Sequence, residues 1–386
     1  MATELWGWLR SRAVEIHVGD HLRERLARGD RLRVKYGMDP TAPDIHVGHL
    51  VCLDVLRRFQ DDGHTAVLIV GDFTALIGDP SGRSDTRPVL SREQVDANAR
   101  TYFEQAFNVL DAATTEVHGN SEWSAEMGAA DVLRLMGRAT LQQILQREDF
   151  GHRIESGLPV GAHEILYPLM QGYDSVAVRA DVEIGGTDQL FNLLFAREIQ
   201  RAHGQEPEDV MVFPLLEGLD GVQKMSKSAG NGIGIADPPV EVYGKVMSIP
   251  DRLTERYLRL ISGADEDEIA AALRLRARDA KAAAARLLVR RLSGEEAARD
   301  AEEAFDSRFR RRELPEEAAE LHVGGGTSVL AGVVAAGFEP SFSRARRILD
   351  QGGLRVNGTR LSEDRPLVDG DLLQAGRRRF VRIRVR

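Results

Sequence analysis

Two short strings in this 386-residue chain gather charge and hydroxyl groups in patterns suited to handling a phosphate. The first is Asp39-Pro40-Thr41-Ala42-Pro43-Asp44-Ile45-His46-Val47-Gly48-His49. It follows a run that reads as a strand and opens one that reads as a helix. The free amides and partial positive charge of a helix start suit an anion. His46 and His49, three apart, can face the same phosphate. Gly48 between them leaves room for a flat base against the backbone. The second string is Lys224-Met225-Ser226-Lys227-Ser228, inside the glycine-punctuated stretch 218–234. Two ammonium groups and two hydroxyls on a mobile loop can follow a departing pyrophosphate. They would then bind the transition state more tightly than the ground state, which is what lowers a barrier. Taken singly, the first string could be two surface histidines and the second a solvated basic turn.

A third string, Tyr167-Pro168-Leu169-Met170-Gln171-Gly172-Tyr173-Asp174, reads as a helix. Tyr167, Gln171 and Asp174 are spaced by four and three and share a face. In an apolar slot, Asp174 could accept a hydrogen bond from a phenolic hydroxyl, while Tyr167 and Gln171 meet an ammonium group. Such a slot disfavours a plain phenyl ring, which would leave Asp174 buried and unpaired. Alone, the string could equally be a polar stripe on a surface helix.

The elements that must position these groups follow from periodicity. The first half alternates strands (31–36, 66–70, 182–184, 210–216) with helices (45–61, 187–203), with glycines at the crossings. This pattern predicts an α/β fold, a Rossmann-like doubly wound parallel sheet that binds ligands at the carboxyl ends of its strands. Residues 91–161 read as a polar, mostly helical insertion, whose apolar surface could serve a dimer contact or pack on its own domain. Residues 251–312 read as a small α-helical domain, and Ser293-Gly294-Glu295-Glu296 has capping-box spacing. Leu314-Pro315 and Gly324-Gly325-Gly326 mark a join. The expected domains are 1–220 (catalytic), 221–313 (lysine loop and helical domain), 314–326 (linker) and 327–386 (a small α+β module).

Composition narrows the function classes. The apolar fraction of 42% and charged fraction of 29% are ordinary for a globular protein. The N-terminus does not read as a signal peptide, and no run approaches the ~20 apolar residues of a membrane span. The single cysteine, Cys52, excludes an intrachain disulfide, and no Cys/His cluster has zinc spacing. A cytoplasmic protein without zinc or membrane contact is expected. The net charge of −9 argues against nucleic acid, but its distribution reverses that. Residues 326–386 carry twelve Arg, no Lys and six acidic residues, a surplus of +6 that leaves −15 for the rest. The alternating Arg and apolar residues of 377–386 suggest an edge strand with one basic face. A basic module on an acidic body suits a phosphate backbone, although charge can also simply protect an edge strand from aggregation.

Together the first two strings resemble the paired signatures of class I aminoacyl-tRNA synthetases, a histidine-x-glycine-histidine turn and a lysine-methionine-serine-lysine-serine loop. Pantothenate synthetase and related nucleotidyltransferases share the histidine motif but not this lysine loop. The third string resembles the amino-acid pocket of the tyrosyl-tRNA synthetases, and the resemblance covers nearly the whole chain. It extends to the segment from Gly71 to Gly82, where Asp79 would join Tyr167 and Gln171 around an ammonium. It extends also to Gly185-Gly186-Thr187-Asp188-Gln189. There the glycines would approach the adenylate, Asp188 the ribose, and Gln189 the tyrosine carboxylate region. Many family members carry a tyrosine four residues before the Asp-Pro pair. Here that position is Lys35, beside Tyr36, which resembles a second bacterial branch of the family.

The resemblance implies ATP as substrate with Mg2+, and L-tyrosine and tRNA(Tyr) as partners of a homodimer. Asp39, Thr41, His46, Gly48, His49, Gly185, Gly186, Asp188, Lys224, Ser226, Lys227 and Ser228 would bind ATP. Among these, His46, His49, Lys224 and Lys227 would act in catalysis. Residues 343–358, a basic helix followed by a turn and strand with an Asn357-Gly358 hairpin signal, resemble the RNA-binding domain of a ribosomal small-subunit protein. Arg344, Arg346 and Arg347 would contact RNA, with the helical domain on the anticodon stem. Competing expectations are a tryptophan-specific relative, a noncatalytic RNA-binding paralogue, and an amino-acid ligase with a non-tRNA acceptor.

Overall fold

The computed structural model describes residues 2–81, 91–226, 230–309, 318–376 and 379–386. The chain divides into two compact units, Met1–Ala301 and Glu302–Arg386.

Among the described residues of the first unit, six strands form one sheet: β1 (Glu15–His17), β2 (Arg33–Met38), β3 (Thr65–Val70), β4 (Thr115–Gly119), β5 (Val182–Gly186) and β6 (Asp209–Phe213). Their order is β1-β6-β5-β2-β3-β4. All pairings are parallel except β1 with β6. Ala66 to Val70 is buried throughout, as a parallel strand covered on both faces must be. The order reverses between β2 and β5, so their carboxyl ends flank a crevice. The histidine segment leaves β2 there, the Gly71–Ser81 segment leaves β3, and the Gly185–Gln189 turn closes β5.

Two strands differ from the sequence expectation. Residues 115–119, expected within a helical insertion, form the β4 edge of this sheet. The insertion therefore begins only after a β-α-β crossover through the helix Arg92–Ala106. Thr115-Glu116-Val117-His118-Gly119 has only one large aliphatic, so its pattern is faint. The three-residue β1 is too short for periodicity to register. The helices after β4 pack inward through Leu135, Ile144 and Phe150 onto Leu169, Met170, Phe195 and Ile199. Helices Leu166–Val178 and Leu190–Ala202 approach closely at Gly172, where a Cβ would lie 2.8 Å from Ile199 Cγ1 and 3.2 Å from Ala196 Cα.

The helix expected over 45–61 starts as a 3-10 turn, Val47–His49, and becomes α-helical over Leu50–Asp61. The chain around the lysine loop is stapled to it. The Val47 amide donates to Ile233 O (2.8 Å), and the Ile235 amide to Ile45 O (3.1 Å). The Met225 amide donates to Leu216 O (2.7 Å). Further helices follow at Pro239–Ser248, Thr254–Ile261 and Glu266–Leu273, then Ala277–Phe309, which breaks at Gly294 with φ 90° and ψ 169°. That break falls within the expected capping sequence.

The second unit holds β7 (Glu320–Val323), β8 (Leu354–Val356), β9 (Thr359–Arg360), β10 (Leu372–Ala375) and β11 (Arg379–Val385). Their order is β7-β11-β10-β8-β9. Helices Val329–Ala335 and Phe342–Asp350 pack on this sheet through Val329, Val333, Leu349, Leu354 and Ile383. The basic strand expected at an edge is interior: β11 pairs with β7 on one side and β10 on the other. Alternation revealed the strand but not its neighbours. Asn357 and Gly358 both have positive φ (52° and 80°) and turn β8 into β9, as the hairpin signal required.

Candidate active site

A cavity of about 710 Å³ lies over the carboxyl ends of β2, β3 and β5. Its lining includes Asp39, Thr41, His46, Gly48, His49, Asp79, Tyr167, Gln171, Asp174, Gly185, Gly186, Asp188, Gln189, Lys224 and Ser226. These are all of the described residues that the sequence assigned to ATP or tyrosine. Lys227 and Ser228 lie outside the described residues.

The two histidine rings sit 4.0 Å apart, tilted by 45°. His49 Nδ1 lies 3.2 Å from the His46 amide nitrogen and 3.1 Å from the His46 carbonyl oxygen, so the backbone of His46 holds the His49 ring. Gly48 matters for more than room at a base: a Cβ there would lie 2.9 Å from His46 Cε1 and Nδ1, displacing the imidazole. Lys224 Nζ pairs with Asp188 Oδ2 at 2.6 Å, so a cation of the lysine loop touches the carboxylate assigned to a ribose. Ser226 is held through its amide, which donates to Asn231 Oδ1 (2.8 Å).

A second group of polar atoms surrounds Asp79 and Asp39. Gln189 Nε2 donates to Asp79 Oδ2 (2.8 Å). The Tyr167 hydroxyl donates to Asp39 Oδ2 (2.9 Å), while Thr74 Oγ1 donates to Asp39 Oδ1 (2.8 Å). Gln171 Nε2 donates to Glu183 Oε1 (3.3 Å), and among the described residues nothing donates to its buried Oε1. Tyr167, Gln171 and Asp79 thus combine acceptor oxygens in one cavity, an arrangement suited to an ammonium.

Asp174 is buried at 3% exposure and accepts from Trp123 Nε1 (2.8 Å) and Asn120 Nδ2 (3.2 Å). Each carboxylate oxygen retains a further lone pair. Burial pushes Asp174 up to about 7, against the pull of Lys35 and of the Trp123 and Asn120 hydrogen bonds. Lys35 is wholly buried on β2 and also lines the cavity. Its Nζ reaches Ser175 Oγ (2.7 Å), Gln171 O (3.1 Å) and Glu183 Oε1 (2.8 Å). Burial opposes its charge, but Glu183, Glu208 and Asp174 outweigh that and hold Lys35 above its ordinary value. Burial and Glu183 raise Glu208 well above the usual carboxyl range. Glu183, Glu208, Asn120 and Trp123 carried no sequence motif. The signal available was charge inside apolar strand runs, at Lys35 and Glu183, whose Cα atoms are registered partners across β2 and β5.

The cavity wall also contains Cys52 and Tyr36. Burial pushes the Cys52 thiol up to about 12 and Tyr36 well above its usual value. Both stay protonated at neutral pH, so neither supplies a ready nucleophile. The cavity instead offers oriented donors, acceptors and cations, which suits a reaction between groups brought in by substrates. In the second unit, Arg344, Arg346 and Arg347 are exposed on the helix Phe342–Asp350.

Residues 27–310 match the family model of the class I tRNA synthetases for tryptophan and tyrosine. The chain is 46% identical over 384 residues to a tyrosine–tRNA ligase of Thermotoga maritima, covering 97% of this chain and 96% of that one. It is 48% identical over 376 residues to that of Nitratidesulfovibrio vulgaris, covering 95% and 94%. Among solved structures, the tyrosyl-tRNA synthetase of Archaeoglobus fulgidus, complexed with L-tyrosine, superposes with a TM-score of 0.63 at 22% identity, covering 78% of this chain and all of that one. The C-terminally truncated mitochondrial enzyme of Aspergillus nidulans gives 0.67 at 22% identity, covering 79% and 94%. At those identities the structures share the fold.

Proposed function

The chain belongs to the class I tRNA synthetases for tryptophan and tyrosine, and from that premise we infer that it is a tyrosine–tRNA ligase. It activates L-tyrosine with ATP to tyrosyl-adenylate and pyrophosphate, then transfers tyrosine to the 3′ end of tRNA(Tyr). The observation that carries the residue-level proposal is the convergence of the histidine turn, the lysine loop and the Tyr167–Gln171–Asp174 face on one cavity.

Tyrosine's carboxylate is already ionised at neutral pH and attacks the α-phosphate without a protein base. Catalysis is then positioning and charge stabilisation. His46 and His49 hold phosphate oxygens, assisted by Asp39, Thr41 and Gly48. Lys224 leaves Asp188 for the phosphates when a ribose takes its place, and Lys227, Ser226 and Ser228 join it. Gly185 and Gly186 lie against the adenylate. Magnesium enters as part of the ATP substrate, held by its phosphates. Asp79, Tyr167 and Gln171 take the ammonium, Gln189 the carboxylate, and Asp174 the phenolic hydroxyl. The preference for tyrosine over tryptophan follows from Asp174, an acceptor suited to a phenol.

The exposed Arg344, Arg346 and Arg347 would bind tRNA phosphates, with the helices over 251–309 on the anticodon stem. Leu133, Leu141 and Ile154, each more than half exposed, support a homodimer contact on the insertion. No described helix is long and apolar enough to cross a membrane, and we place the protein in the cytoplasm. Pyrophosphate exchange into ATP, run with each of the twenty amino acids and no RNA, tests the first step. Exchange with tyrosine and none with phenylalanine or tryptophan is expected. No exchange from folded protein would favour a noncatalytic RNA-binding paralogue.

A further inference from the structure

Arg147 is 3% exposed and lies outside the cavity lining. Its guanidinium carbon lies 5.1 and 5.4 Å from the ring centroids of Phe150 and Phe191. Nε and Nη2 donate to Asp149 (3.0 and 2.9 Å), Nη2 also to Ser81 Oγ (2.9 Å), and Nη1 to Asn192 Oδ1 (2.5 Å). A guanidinium has no acceptor and does not lose its proton. Asn192, fully buried, must therefore face Arg147 with its oxygen.

That orientation turns Asn192 Nδ2 toward Gln189 Oε1 (3.0 Å), with Ser81 Oγ at 3.3 Å. With its oxygen engaged, Gln189 presents Nε2, which donates to Asp79 Oδ2 (2.8 Å). Asp79 Oδ1 in turn accepts from the Ser81 amide (2.9 Å). Asp79 and Gln189 line the cavity, whereas Arg147, Asn192 and Ser81 do not. The cavity thus receives an acceptor from Asp79 and a donor from Gln189, side by side. This is the complement of a free α-amino acid, whose ammonium donates and whose carboxylate accepts. Were Gln189 reversed, its oxygen would face the Asp79 carboxylate and the donor would be lost.

We propose that Arg147, acting through Asn192, is a positioning residue that fixes the amide polarity of Gln189 and thereby selects substrates with a free α-carboxylate. The proposal rests on the reading of this cavity as the tyrosine site.

The test is calorimetric binding of tyrosine and of tyrosinol, which lacks the carboxylate, to the full chain without ATP. Asn192→Leu changes no charge. It should weaken tyrosine about tenfold and tyrosinol less than about threefold. Arg147→Met should give the same selective loss. Arg147→Lys, which keeps a donor-only cation, should recover part of it. Gln189→Leu reports on the underlying reading and should abolish the preference for tyrosine over tyrosinol. If Gln189→Leu abolishes that preference but Asn192→Leu leaves it intact, the relay is overturned and the tyrosine site stands. If Gln189→Leu leaves it intact, the site reading fails and the proposal with it. Equal losses for both ligands in Asn192→Leu would reduce the chain to packing and also overturn it.

Discussion

In the proposed site, discrimination by a single hydroxyl rests on the charge that Asp174 holds. Burial raises its carboxyl to about 7, Lys35 and the Trp123 and Asn120 donors oppose the rise, and Glu183 adds to it. A phenol donates most strongly to an ionised carboxylate. Tyrosine affinity should therefore fall as pH drops through about 7, while weak phenylalanine binding stays level. Parallel binding titrations check this, and a level tyrosine profile would contradict the role given to Asp174. Without ligand, stability takes the opposite sign. Between about pH 4 and about pH 7 the folded carboxyl keeps a proton that the unfolded one has lost. The folded state then binds more protons, and stability declines as pH rises through that window. Asp174→Asn should remove this part of the decline in urea midpoints and lower kcat/KM for tyrosine by roughly 10- to 100-fold. Lys35→Met withdraws the cation that favours Asp174 ionisation. It should move the fall in tyrosine affinity to higher pH by about one unit, read from the same titrations.

Among elements, the helix pair Leu166–Val178 and Leu190–Ala202 carries much of the site. The first bears Tyr167, Gln171 and Asp174, and the second begins directly after Gln189. Gly172 sets their separation. Gly172→Ala should cost about 1–3 kcal/mol by overpacking against Ile199 and the backbone of Ala196. Urea denaturation measures that cost, and a raised tyrosine KM should accompany it, since the displaced helix bears the pocket face. An unchanged midpoint would mean that the two helices separate without strain. The histidine turn and the chain about Ile233 form a second such pair, joined by backbone hydrogen bonds on both sides of His46. This bonding holds the chain about the lysine loop to the histidine turn, and Lys224 lines the same cavity as His46 and His49.

For the whole molecule, the proposed roles put activation in the first unit and RNA anchoring in the second, a separation that truncation can test. β7 pairs with β11, so a clean truncation must remove β7 as well. A chain ending at Phe309 should retain tyrosine-dependent pyrophosphate exchange within about threefold, because the cavity lies wholly in the first unit. Its charging of tRNA should fall by more than about tenfold if the three exposed arginines contact phosphates. Normal charging by that chain would exclude the second unit as the RNA anchor.

The two motif strings, the alternation of strands and helices, the basic charge of the C-terminal segment and the Asn357-Gly358 hairpin were legible along the chain, because each is a local pattern of spacing, period or turn chemistry. Contacts between distant segments set the remainder. The strand at 115–119 lacks a strong apolar run, and pairing rather than periodicity makes it the sheet's edge. The basic strand became interior for the same reason: alternation specifies a strand's faces and leaves its neighbours open. Lys35, Glu183 and Glu208 read as isolated charges along the chain. Their meaning arises only when parallel register and burial bring them together, since a buried charge is tolerable only with partners that sequence spacing does not reveal.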